Sequence, residues 1–269
     1  MSILRKALTV SLLALVALGF LWPFFVPTDE LADKASWFFL AASPLTLLLV
    51  IVLITQEELG SKKIALLGIL TALIAALRPL GIGAIGIEPM WFALIIASRA
   101  MGPTFGFLLG TLSMGLSALL TGGIGPWLSY QIFAAALIGW GTAVIPTKLR
   151  GLQEVVALIF YGILASIFFG IAMDLQFWPW TLGPGTELSY LPGAAVIENL
   201  DRFFTYHFIS ALAWDIPRAI LTSTLLALAA RPMLGALRRA DETTRFVSHA
   251  EMEKIKNSLS LTHVRGDHR

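Results

Sequence analysis

Asp215 and Arg218 stand three residues apart in an otherwise apolar run, within Trp214-Asp215-Ile216-Pro217-Arg218. That spacing puts both on one face of a helix, where they can pair, and Ala211 and Thr222 extend the same face. A charge inside a membrane-length apolar segment is costly unless it is paired or faces a polar cavity. The couple therefore marks a pocket floor, a packing ion pair, or both. Pro217 frees a backbone carbonyl one turn back and adds an acceptor. A second polar group opens another apolar run, Thr121-Gly122-Gly123-Ile124-Gly125-Pro126-Trp127-Leu128-Ser129-Tyr130-Gln131. Its glycines turn the chain where a membrane segment ends, and Pro126 suits the first helical position, where a missing N–H costs nothing. Trp127, Tyr130 and Gln131 then offer an indole, a phenol and an amide over the first turns. Aromatic faces with polar handles at a glycine-shaped mouth suit capture of a small organic solute. Trp127 and Tyr130 alone would serve equally well as interfacial anchors.

Arg78 and Glu88 flank a third feature, Gly81-Ile82-Gly83-Ala84-Ile85-Gly86. The letters match a dinucleotide-binding glycine pattern, which has meaning only between a strand and a helix. Here an apolar helical run precedes the glycines and Glu88-Pro89 opens another. The expectation is an external loop, as a gating element or a plain connector.

The elements that hold these residues are membrane helices. The 269 residues are 57% hydrophobic and 13% charged, too apolar for a soluble domain of this size to cover. Eight hydrophobic segments are expected, at about 7–27, 36–55, 63–78, 89–100, 103–121, 127–146, 152–175 and 206–230. In an eight-pass arrangement Arg5, Lys6, Lys62, Lys63, Arg99, Lys148, Arg150, Arg231, Arg238 and Arg239 share one side. The other side carries Lys34, Arg78 and Arg202. The positive-inside rule then puts both termini in the cytoplasm of a multi-pass cell-membrane protein.

Three regions follow: a transmembrane hairpin over 1–60, a six-helix membrane core over 61–231 and a polar cytoplasmic tail over 232–269. Gly68, Ala72 and Ala76 form a small-residue stripe on the first core helix, for a partner or for packing within the bundle. Between the last two helices, residues 194–204 have a helical amphipathic period. Val196, Ile197, Leu200, Phe203 and Phe204 are expected in the membrane surface, with Glu198, Asn199, Asp201 and Arg202 turned away.

Several chemistries are excluded. There is no cysteine, hence no disulfide or thiolate chemistry, and three of the four histidines sit in the tail. No P-loop is present, no metal or other cofactor is expected, and nothing points to nucleic acid.

Six blocks, taken together, resemble the substrate-binding S-component of energy-coupling factor (ECF) vitamin transporters, closest to the actinobacterial-type group. They are Leu77-Arg78-Pro79-Leu80-Gly81, Glu88-Pro89-Met90, Gly102-Pro103-Thr104-Phe105-Gly106-Phe107, Leu120 through Trp127, Glu198-Asn199-Leu200 and Asp215-Ile216-Pro217-Arg218-Ala219. The resemblance implies an all-α, six-helix substrate-binding core, preceded here by two extra helices, and a vitamin-like ligand taken from outside. It further implies a transmembrane coupling subunit and two ATPase subunits as partners, with Gly68, Ala72 and Ala76 where that family meets its coupling subunit. The expected substrate-binding set is Arg78, Glu88, Trp127, Tyr130, Gln131, Asp215 and Arg218, with no catalytic residue. A corrinoid such as cobalamin leads the candidate ligands, then riboflavin. The rival readings are a stand-alone secondary transporter and an intramembrane enzyme using Asp215 as base. Arg218 one turn away opposes the last, since it keeps the carboxylate ionised and weakly basic.

Overall fold

A computed structural model describes residues 20–25, 60–81, 85–125, 127–182 and 185–266, with backbone alone over 243–266. Apart from residues 20–25, the two N-terminal segments, and with them most of the expected hairpin, lie outside the described residues. The described chain is helical throughout, without a strand: α1 (Trp22–Phe25), α2 (Ser61–Leu77), α3 (Met90–Met101), α4 (Pro103–Thr121), α5 (Leu128–Gly141), α6 (Gly151–Thr181), α7 (Val196–Ser210) and α8 (Leu212–Gly266). Single 3-10 turns extend α2 over Arg78–Gly81 and α5 over Thr142–Val144.

Ser61–Gly81, Pro103–Thr121, Gly151–Pro179 and Leu212–Glu242 are long and apolar enough to cross a membrane. Met90–Met101 and Leu128–Val144 are shorter apolar helices. The chain is thus an all-α, multi-pass membrane protein, with four such spans among the described residues.

Burial follows from which faces are apolar. α3 is apolar nearly all round and so becomes the centre, with Trp91, Leu94, Ile95 and Ile96 buried against helices on every side. α4 and α5 approach backbone to backbone: a Cβ on Gly106 or Gly139 would strike the other helix's main chain, and Gly110 meets Ala135 in the same way. α6 receives α8 along Gly162, Ser166 and Gly170, where a Cβ on Gly162 would press on Leu226 and Thr222. Gly122 ends α4 at φ +66°, a left-handed cap whose N–H donates to the Ala118 carbonyl. The following helix begins at Leu128 with Trp127 as its cap; Pro126 lies outside the described residues.

Three expectations need correction. The run at 206–230 is not one helix: the chain turns at Ala211, and α8 restarts at Leu212 and continues to Gly266. Asp215 therefore sits in the first turn of α8 rather than well inside the helix expected over 206–230. The amphipathic helix α7 also turns differently. Asn199, expected to face away, is buried, its side-chain amide pairing with the backbone N–H and C=O of Leu191. A buried amide needs partners, and the Leu191 backbone supplies both. Phe203 joins Phe24, Leu175, Trp178, Tyr190 and Tyr206 in a second aromatic core beside the main one.

Candidate binding site

Arg218 is the hub of the site. It rises from the second turn of α8, almost fully buried, and its guanidinium finds a partner on every side. Nε donates to Glu88 Oε2 at 2.7 Å, and Nη1 donates to Asp215 Oδ1 at 2.6 Å and to the Ser166 carbonyl at 3.3 Å. The guanidinium carbon lies 4.9 Å above the Phe169 ring, a cation–π contact. A buried arginine is tolerable only with this degree of pairing.

Glu88 reaches Arg218 because the connector before α3 lies directly on α8. Gly86, at φ +66°, leaves no room for a Cβ, which would strike the Trp214 carbonyl and crowd the Arg218 N–H. Glu88 Oε2 also accepts from Trp91 Nε1 at 2.7 Å, so one carboxylate oxygen ties connector, central helix and last helix together.

Asp215 occupies the electropositive start of α8, a favourable place for a carboxylate. It lies against Gly170, where any Cβ would overlap its oxygens. Its Oδ2 stands 3.9 Å from His207 Nε2, and His207 Nδ1 is 2.8 Å from Asp174 Oδ2. A chain of polar groups thus runs Asp174, His207, Asp215, Arg218, Glu88, Trp91, drawn from α6, α7, α8, the connector and α3.

Arg78 and Gln131 form a neighbouring pair. Arg78 Nη2 donates to Gln131 Oε1 at 2.8 Å and Nη1 to Ser117 Oγ at 3.5 Å, and Arg78 interacts electrostatically with Glu88. Arg78, Gln131, Glu88, Asp215 and Arg218, separated by up to 140 positions, therefore gather at one end of the bundle. Trp127 stands at the start of α5 with its ring against Gly125. Tyr130 is in the core instead of at a rim, its ring edge-on to Phe20 with centroids 4.6 Å apart.

The opposite end holds a second network. Buried Glu154, near the start of α6, accepts from Arg99 Nε at 2.7 Å and from both terminal nitrogens of Arg238 at 3.0 and 2.6 Å. Arg99 also donates to the Ile145 and Pro146 carbonyls, and Lys63 pairs with Asp241 at 3.3 Å. Lys63, Arg99 and Arg238 thus lie at the end away from Arg78, as the loop-charge pattern expects. The stripe Gly68, Ala72 and Ala76 is exposed on α2, and a Cβ on Gly68 would meet nothing within 4 Å.

The chain matches no known protein family, curated protein or solved structure.

Sequence reading missed Asp174, His207, Glu154, Trp91 and Ser117. For Glu154 and Asp174 a signal existed, since each is an acid inside or at the edge of an apolar run. His207 and Trp91 gave none, because their partners come from other helices. Among the described residues no cluster of acids, histidines or cysteines has the form of a metal site.

Proposed function

We propose that this protein is the membrane-embedded substrate-binding subunit of an ECF-type, ATP-driven importer for a vitamin or related micronutrient. The observation that carries the reading is the assembly, at one bundle end, of Arg78, Gln131, Glu88, Asp215 and Arg218 from distant parts of the chain. That end faces outward in the proposed orientation, with both termini cytoplasmic. Donors and carboxylates at the floor, with Trp127 at the mouth, suit a solute with polar edges and flat apolar faces, such as a corrinoid or riboflavin. The exposed stripe Gly68, Ala72 and Ala76 leaves α2 open to close approach by a transmembrane coupling subunit, which would carry the two ATPases. Mass spectrometry of small molecules retained by the detergent-purified chain tests the reading. A stoichiometric vitamin is expected; a chain that retains none, and binds none of a vitamin panel added back, counts against it.

A second reading draws on one specific observation. Asp174, His207 and Asp215 form a string of titratable groups inside the bundle, which a stand-alone proton-coupled carrier would need. Substrate uptake by the chain alone in proteoliposomes, driven by a pH gradient without ATPases, would favour that carrier.

A further inference from the structure

The flank of the bundle between α6 and α8 carries a cleft of about 460 Å³ that shares only Asp215 with the polar set proposed to bind the solute. Ile163 and Ile167 form one wall and Ile216 and Ile220 the other, all exposed on the outside of the bundle, where the hydrocarbon of the membrane lies. Asp215, Ala219 and Ser223 run along the floor at four-residue steps, so Ala219 keeps the middle shallow and apolar. The two polar floor residues lie about 12 Å apart along the helix.

Each of the two carries an oxygen without a hydrogen-bond partner. Asp215 is 2% exposed, and its Oδ2 accepts no hydrogen bond, although Oδ1 is taken by Arg218. His207 Nε2, at 3.9 Å, is too far to donate. Ser223 Oγ is buried and unpaired as well. Thr71, Ser113 and Thr222 share that state, whereas Ser98, Thr111, Ser166, Ser210 and Thr224 each donate to the carbonyl four residues back, so Asp215 Oδ2 is the group that marks the cleft. A buried carboxylate oxygen without a donor is costly, and a cleft leading to it from the lipid side is where a donor would come from.

Charge decides which donor. Three carboxylates, Glu88, Asp174 and Asp215, meet two guanidinium groups, Arg78 and Arg218, so three minus two leaves one negative charge while His207 is neutral and none once His207, 2.8 Å from Asp174, is protonated. One ammonium group beside Asp215 Oδ2 would both donate the missing hydrogen bond and close that balance.

We infer that the α6–α8 cleft binds a membrane-resident, single-chain amphiphilic amine, its ammonium on Asp215 Oδ2 and its hydrocarbon over Ala219 between the isoleucine walls. The site is entered laterally from the bilayer and stands whether or not the outer pocket takes a vitamin.

Hexadecylamine, hexadecanol and hexadecanoate, titrated against the full chain in nanodiscs with empty nanodiscs as blank, test it. Saturable uptake of one hexadecylamine per chain is expected, with hexadecanol at least about tenfold weaker, as loss of a charge-assisted hydrogen bond requires, and hexadecanoate excluded. Ala219→Phe, which fills the middle of the cleft without touching the polar chain, should abolish amine binding while any ligand held by the outer pocket is retained. Asp215→Asn should weaken amine binding to the level of the alcohol; if that variant does not fold, Ala219→Phe decides. Equal binding of amine and alcohol, uptake that follows only the lipid blank, or amine binding unchanged in Ala219→Phe overturns the inference.

Discussion

Arg218 and Glu88 are 130 positions apart and joined by a 2.7 Å hydrogen bond. Through it the last helix holds the connector that leads into the central helix, and the same guanidinium neutralises Asp215. Site and fold are therefore the same set of contacts at this end of the bundle.

Arg218→Ala should accordingly damage folding as well as binding. It leaves Asp215 and Glu88 without their shared cation, and breaking a buried pair from one side costs about 3–5 kcal/mol. Thermal unfolding of the purified variant in detergent measures this. Asp215→Asn added to Arg218→Ala should recover part of the loss, because only the partly exposed Glu88 carboxylate then remains beside the vacated position. A double variant as unstable as the single one contradicts this account.

Glu154 and Arg150, an exposed neighbour 3.9 Å away, should differ in how much they matter. Glu154→Ala strands the two arginines that converge on it, Arg99 and Arg238, and should lower stability by a few kcal/mol, about 3–5 by analogy with other buried pairs. Arg150, 63% exposed and 3.9 Å from the carboxylate, should matter by about 0–1 kcal/mol on replacement by Ala. Melting temperatures of the two variants side by side are the check.

Two glycines in helices should respond to alanine with opposite signs. Gly170→Ala drives a methyl into the Asp215 carboxylate and should cost about 1–3 kcal/mol. Gly68→Ala meets open space on an exposed helix face and should stabilise by about 0.5–1 kcal/mol through helix propensity. Denaturation curves that move the same way for both would refute the packing described for α2 and α6.

Enlarging the exposed stripe tests the proposed partner. Ala72→Trp or Ala76→Trp should abolish ATP-driven uptake in cells while the purified chain keeps its ligand, since close helix approach fails sterically. Gln131→Ala should do the reverse, weakening ligand binding by removing the partner of Arg78 while the chain still folds. Loss of ligand binding in the tryptophan variants would return the stripe to a role inside the bundle.

The proposed orientation is open to chemical labelling, because the chain has no cysteine of its own. Glu187 and Glu242 are exposed on opposite sides of the proposed bilayer. Glu187→Cys should react with an impermeant reagent in intact cells and Glu242→Cys only after permeabilisation. The opposite pattern reverses the topology.

Helix positions were largely legible, because apolar run length and glycine or proline punctuation act locally. The runs at 63–78, 89–100 and 103–121 fall within a few residues of Ser61–Leu77, Met90–Met101 and Pro103–Thr121. The break at Ala211 was not, since the residues around it are ordinary helix formers. The pairing of Asp215 with Arg218 could be read from spacing alone. Arg78 with Gln131 and Glu88 with Arg218 were expected in one site, but their direct bonds depend on tertiary packing. Tyr130 and Asn199 went astray for the same reason: polarity foretells where a side chain would go on an isolated helix, whereas Phe20 and the Leu191 backbone offer them buried partners.

The length of α8 gives the protein one further property. From Asp215 to Arg238 the helix advances about 34 Å, roughly the depth of a bilayer's hydrocarbon layer. A single uninterrupted rod therefore has one charge cluster near each of its membrane crossings, with Pro217 and Pro232 as points where a rung of its hydrogen-bond ladder is missing. The Asp215–Arg218 pair and the Glu154–Arg238 contact are thus carried by one helix, near its two membrane crossings.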